Sequence, residues 1–442
     1  MEQPRNGCGS RPDTPRREFL KQAGGTALTT SLFTGNVKGA NDRIAIGFIG
    51  VGVMGSENLK AAIKQPGVQA AAVCDVYQPN LERATAMARL AGHQPREFRD
   101  FRQLLADKSI DAVCISTPDH WHPYMSVAAC KAGKDVYVEK PACLSLNEGL
   151  AMVQAARKYN RVVQAGTWQR SGLHFQKACE LVRSGVIGTV SFVRTWIYNN
   201  QPQAGIGNPP DAAPPPGLDW DLWLGPAPAR PFNPNRFGVY PDAYSYFRFF
   251  WDYAGGHLTD SGIHMLDIVQ MAFGEAMPKA VTALGGKYWL KDNSETPDTM
   301  QVTFDYGSFL GSWEHRNNNT EGTKARLMGI TFHGTEGMLY VDRSLFRLTP
   351  EPGSRVQGRQ MKLESDPHPL HWANFIDCIR TRKRPNSDIE TCVRSSETCL
   401  LGNAAYRAAS RLDWDDERQK VSQVQAFKYL YREYRKPWTL DI

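Results

Sequence analysis

The chain has 442 residues, too many for one small hydrophobic core, so two domains are expected. It is 41% hydrophobic and 22% charged, as soluble globular proteins are, and no run of 18 apolar residues offers a membrane span. Lys+Arg outnumber Asp+Glu by 52 to 45, but part of the excess lies before residue 44 and no dense basic stripe follows, which argues against nucleic acid as a partner. Nine scattered cysteines form no C-x-x-C pair, and several, such as Cys74 and Cys114, sit in apolar runs. They read as buried free thiols, with no metal site expected.

Residues 1–40 read as a signal region. The stretch "TPRREFLKQAGGTALTTSLFTG" resembles a twin-arginine export signal, with Pro15 in place of the usual Ser or Thr. That resemblance implies passage through the twin-arginine export machinery and a periplasmic address. The route carries folded proteins, which suits one that collects a cofactor in the cytoplasm.

Residues 41–165 alternate strand and helix with short turns. "RIAIGFIG" is a buried strand, followed by a glycine turn and a helix from about Met54. "VQAAAVCDV", "DAVCIST", "DVYVE" and "RVVQAGT" are further strands, with helices between them in "PNLERATAMARLAG", "HPYMSVAACKAGK" and "LNEGLAMVQAARKYN". The strands are apolar throughout, which is the pattern of a parallel sheet covered on both faces. The expected fold is α/β, beginning with a doubly wound Rossmann domain.

Residues 166–442 change rhythm. "TVSFVRTWIYNN", "KAVTALGGKYWL", "TMQVTFDYGSFLGSWEHR" and "ARLMGITFHGTEGMLYVD" read as strands joined by hairpin turns, giving an α/β domain with a mostly antiparallel open sheet. Between the first two lies a long irregular segment, 200–250, whose Trp, Phe and Tyr content argues against disorder.

Four clusters carry chemistry. Gly50-Val51-Gly52-Val53-Met54-Gly55 is G-x-G-x-x-G between strand and helix, with Asp75 ending the next strand twenty residues beyond Gly55. Glycines there allow a tight turn and let a pyrophosphate approach the helix N-terminus, and the acid bonds a ribose hydroxyl while repelling a 2′-phosphate. NAD is therefore favoured over NADP. Next, "STPDHWHP" places Thr117, Pro118 and His122 at the carboxyl end of a central strand, where ligands bind in such sheets. Third, Glu139 and Lys140 end the following strand on the same rim. A lysine facing a dry, cationic nicotinamide could exchange a proton near neutral pH, whereas a solvated lysine could not, and position leaves both open. Fourth, in "GGHLTDSGIHMLDIVQMAFG" Asp260, His264 and Asp267 recur at spacings of four and three, so they share one face of an otherwise apolar helix. An aspartate beside a histidine can form an oriented acid/base pair or a purely structural hydrogen bond.

Together G-x-G-x-x-G, T-P-D-x-x-H (Thr117 to His122), E-K-P (Glu139, Lys140, Pro141) and D-x-x-x-H (Asp260, His264) resemble the Gfo/Idh/MocA oxidoreductase family over essentially everything after residue 41. The resemblance implies Lys140 and His264 as a catalytic pair, Asp260 orienting a sugar or polyol substrate, Arg170 as a further substrate contact, and a homo-oligomer formed through the second sheet. An exported enzyme would find little free NAD, so the cofactor should be tightly bound. Sugar oxidoreduction is then the first reading. The alternative is an NAD-dependent glycosidase working by transient oxidation, elimination and re-reduction, whose helix signature is H-G-x-G-P where this chain has "DSGIH". A non-catalytic sugar or dinucleotide carrier ranks third, because it would be expected to lose Lys140 or His264.

Overall fold

The computed structural model describes residues 43–238, 245–320 and 326–442. The twin-arginine segment lies outside the described residues.

A six-stranded parallel sheet forms first. Its strands are β1 (Ile44–Ile49), β2 (Val68–Cys74), β3 (Arg96–Phe98), β4 (Ala112–Ile115), β5 (Asp135–Val138) and β6 (Val163–Ala165), in the order β3-β2-β1-β4-β5-β6. The chain winds outward from β1 in both directions, so the β1/β4 boundary is the switch point where such sheets open a crevice. All four residues of β4 and of β5 are buried, as strands covered on both faces are, and the one charge among them, Asp135, is paired with Arg382.

The second sheet has ten strands: β7 (Val190–Tyr198), β8 (Ala280–Gly286), β9 (Thr299–Asp305), β10 (Leu310–Arg316), β11 (Met328–Gly334), β12 (Gly337–Val341), β13 (Leu345–Pro350), β14 (Arg359–Lys362), β15 (Leu412–Asp415) and β16 (Lys420–Val421). Their order is β14-β13-β12-β11-β7-β10-β9-β8-β15-β16. It is antiparallel except between β7 and β10, which run parallel in register Leu310 to Phe192. Helices Leu173–Arg183, Ile263–Ala272 and Ile389–Ala408 contact this sheet and share a core with Val193, Phe304, Trp313, Phe332 and Leu339.

Two features tie the chain together across this plan. The helix Pro367–Thr381, far along the sequence, joins the core of the first sheet: Trp372 stacks on Tyr137 of β5 at 4.3 Å and 10°. The described residues of the aromatic segment, 200–238 and 245–250, also fold. Trp223, Phe232, Phe237, Phe247, Phe250 and Tyr253 form a separate small core that packs on Val76 and Tyr77 at the end of β2. Leu218 pairs with Tyr77 as an isolated bridge, and the Trp223 carbonyl accepts from the Trp121 indole at 2.8 Å. The eight cysteines from Cys74 to Cys399 are buried and unpaired. No described helix is long and apolar enough to cross a membrane.

Candidate active site

A cavity of about 230 Å³ opens at the switch point. Gly50, Gly52, Met54, Asp75, Thr117, Pro118, His122, Glu139 and Lys140 all line it, together with Trp223, Phe247 and Arg248 from the aromatic segment. Gly55 does not, because its role is packing: a Cβ there would collide with the Gly50 carbonyl oxygen. Gly50 has φ +76°, and a Cβ on it would lie 2.7 Å from the Thr117 nitrogen. The helix Val53–Ala62 starts with no side-chain cap and no acid in its first turn, leaving its N–H groups for an anion. Asp75 accepts from Val51 N–H and Tyr77 N–H, both at 2.9 Å, so one carboxylate ties the glycine turn to the end of β2. Burial lifts its pKa, with those two N–H groups opposing. Thr117 Oγ1 and Asp119 Oδ2 are buried polar atoms without a partner at this cavity. Glycine cradle, open helix end, rim acid and orphaned polar atoms together fit a dinucleotide.

Two of the lining groups are spent on structure. Both ring nitrogens of His122 face carbonyl oxygens, Pro141 at 2.7 Å and Thr117 at 2.9 Å, so the ring braces the two loops and has no free nitrogen for a cofactor. Burial pulls its pKa down to about 4. Glu139 is pinned by Asn58, whose amide donates to Oε1 at 2.9 Å, and by the Lys140 N–H at 3.2 Å. Asn58 Oδ1 in turn meets His368 Nε2 at 2.9 Å and accepts from the Trp372 indole at 3.2 Å, fastening the rim to the far helix.

Lys140 stands at one end of the cavity. Its Nζ donates to Asp260 Oδ1 at 2.7 Å and to the Asp260 carbonyl at 2.9 Å. Arg248 Nε donates to the same Oδ1 at 2.9 Å, so one carboxylate holds two cations. Asp119 lines the same end, and burial raises its carboxyl to about 7, opposed by Arg248 and Lys140. Next along the chain stands His264, buried, with Nδ1 unpartnered. Burial drives its pKa well down, Arg343 and Lys140 add to that, and Asp260 opposes, so the imidazole is neutral at physiological pH. Trp168 lies beside it at 5.9 Å between ring centroids.

Asp260 and His264 do not sit on one regular helix, contrary to the simple spacing. Asp260 belongs to a π-helical turn, Leu258–Gly262, and the α-helix begins at Ile263. The wider turn re-aims side chains, a recurrent device at functional sites. Asp267 faces elsewhere, and with it goes the expectation for Arg170 as a substrate contact. Arg170 is 5% exposed and its donors are taken: Nε by both Asp267 oxygens at 2.9 and 2.8 Å, Nη1 and Nη2 by Glu275 at 2.8 and 3.1 Å. A guanidinium held by two carboxylates and 6% exposed in its side chain is committed to the interior, and Arg170 is a structural ion-pair residue. Arg248, Asp119, Trp168 and Asn58 are the site residues that motif reading missed. Only Asp119, inside the T-P-D-x-x-H string, carried a signal. No group of three His, Cys, Asp or Glu among the described residues is arranged to hold a metal ion.

A doubly wound sheet with a glycine-lined crevice, an acid ending its second strand and a lysine on its rim defines a dinucleotide-binding enzyme. Residues 44–167 match the "Oxidoreductase family, NAD-binding Rossmann fold", and residues 181–440 match its "C-terminal alpha/beta domain". The chain belongs to this Gfo/Idh/MocA oxidoreductase family. A glycosyl hydrolase family 109 protein of Shewanella sp. (strain W3-18-1) is 30% identical over 201 residues, 39% of this chain and 43% of that protein. One from Saccharopolyspora erythraea is 32% identical over 159 residues, 35% and 34% of the two. The match thus spans less than half the length of these curated relatives. Among solved structures, the WlbA dehydrogenase from Bordetella pertussis, in complex with NADH and UDP-GlcNAcA, is 20% identical with TM-score 0.63, covering 84% of this chain and 99% of that one. A levoglucosan dehydrogenase in complex with NADH and levoglucosan is 18% identical with TM-score 0.64, at 84% and 99% coverage. At these identities the likeness is one of fold.

Proposed function

We propose that the protein transfers hydride between a carbohydrate CH–OH carbon and a nicotinamide that stays bound between turnovers. The observation that carries this reading is the ion cluster at the cavity's end: Lys140 from the first sheet fixed on Asp260 at 2.7 Å, one turn from a neutral, buried His264. An ammonium has three donors, and Asp260 takes two, leaving one N–H for a substrate hydroxyl. His264, being uncharged, can accept that hydroxyl's proton as the carbon is oxidised. Asp260 holds Lys140 in place and Arg248 neutralises the second share of its charge. NAD, when bound, supplies the hydride acceptor. Retention is supported by the aromatic segment, which puts Trp223 and Phe247 over the cavity. On this reading the twin-arginine-like residues carry folded, loaded protein to the periplasm. A homo-oligomer forms through the ten-stranded sheet, where Leu284 stands 83% exposed.

A second reading, glycoside cleavage by oxidation, elimination and re-reduction, is favoured by the names of the curated relatives. Aryl glycosides separate the two. Aglycone release without net change in nicotinamide absorbance supports the glycosidase. A sugar-dependent absorbance change without release supports the oxidoreductase, and neither response to any sugar refutes both.

A further inference from the structure

We propose that the substrate is a carbohydrate bearing an oxyanion, and that Arg343, held by Trp168 and Gln169, is the group that reads it. The inference rests on the reading that Lys140 and His264 handle a carbohydrate.

Arg343 follows β12 and reaches the site from the second sheet. Its guanidinium carbon lies 4.7 Å from the Trp168 ring centroid, and its Nε donates to Gln169 Oε1 at 3.2 Å. The Gln169 amide donates to the His264 carbonyl at 3.1 Å. One glutamine therefore sets the position of Arg343 relative to His264. The two terminal nitrogens make no hydrogen bond or ion pair among the described residues, and the side chain is open to solvent. The other arginines close by each have a carboxylate partner. Arg170 is paired with Asp267 and Glu275, Arg248 with Asp260, and Arg326 with Asp342, the residue before Arg343.

Charge points the same way. Around His264 stand Lys140, Arg248 and Arg343 against the single carboxylate of Asp260, which two of those cations already share. Asp119, the other acid at the cavity's end, is drawn toward its neutral form by burial. An oxidised nicotinamide would add another positive charge. Such a field draws in anions and disfavours cations. A planar fork lying over an indole with both tips free matches the geometry of a carboxylate or phosphate, and the ring contact limits the freedom lost on binding. A solvated arginine packed on a tryptophan for its own sake would show no preference among sugars, which makes the two readings separable.

The test uses the holoenzyme with hexuronates and hexose 6-phosphates, each beside its parent hexose. Turnover is followed by nicotinamide absorbance and binding by calorimetry. The acidic sugar is expected to half-saturate at a concentration at least tenfold lower than the hexose, and the carboxylate and phosphate arms identify which oxyanion is read. Arg343→Gln should raise that concentration roughly 10- to 100-fold, the range for a hydrogen bond to a charged group, while the half-saturating concentration of the hexose moves far less. Equal response to acidic and neutral sugars, or an equal loss for both in the variant, overturns the proposal, as does failure of every acidic sugar to bind. Acidic sugar that binds through Arg343 without changing absorbance refutes the redox reading and upholds the role of Arg343.

Discussion

Replacing Arg170 by Met tests the reassignment of that residue from substrate contact to structural ion pair. The substitution removes donors to Asp267 and Glu275 while keeping most of the side-chain volume. The Asp267 side chain is 1% exposed, so its charge would be left buried with one remaining donor, Ser395 Oγ at 2.7 Å. Breaking such a pair from one side costs about 3–5 kcal/mol. Unfolding entropy near 2.1 cal/mol/K per residue gives about 0.8 kcal/mol/K for a folded part of roughly 390 residues, so a loss of about 4 kcal/mol lowers Tm by about 5 °C. Calorimetry on holoenzyme reads that shift, and steady-state kinetics on the same preparation should give an unchanged KM. Asp267→Leu added to Arg170→Met should recover part of the loss, because the stranded charge goes with it. A variant with unaltered Tm and a KM raised tenfold would refute the reasoning and return Arg170 to the substrate.

Other outcomes follow from the same geometry. Lys140→Met should leave NAD bound and lower turnover by roughly a hundredfold or more, read as kcat with cofactor content measured alongside. Asp75→Ala should weaken NAD and relax discrimination against NADP, and an unchanged preference in cofactor titrations would remove that role. Stability should climb between about pH 5 and 6. His120, His122, His315 and His371 are pulled by burial to about 3, 4, 3 and 4, so in that window the unfolded chain takes up their protons and the folded one does not. Asp119 and Glu397, raised by burial to about 7 and 8, oppose them by binding protons in the folded state. Other shifted groups fall on both sides, His264 with the imidazoles and Asp75 with the carboxyls, and the imidazoles outnumber the carboxyls, so the net slope is positive. A flat stability profile from chemical denaturation at pH 5 and 6 would contradict this burial.

The alternation of strands and helices, the glycine turn and the rim position of Lys140 were legible because each is written in neighbouring residues. β1 is Ile44–Ile49, as its apolar run required, and the described residues of the aromatic segment are folded, as its composition suggested. What the sequence hid depends on distant partners. Nothing near Arg170 in the chain announces Asp267 and Glu275, which arrive about a hundred residues later. The i, i+4 spacing of Asp260 and His264 concealed a π turn, because a hydrogen-bond register is not encoded in polarity. Arg248 and Arg343 lie outside any motif and matter only because Asp260 and Trp168 come to meet them.

The helix Pro367–Thr381 has a bearing on how this protein can be cut and rebuilt. Its Trp372 fills the slot over Tyr137, and Asn58 beneath it reaches both Glu139 and His368. A fragment ending after β6 would bare an aromatic face and loosen the very rim that presents Lys140. Grafting the nucleotide-binding half onto another partner therefore calls for a split design in which 367–381 is supplied again, by circular permutation or as a separate peptide.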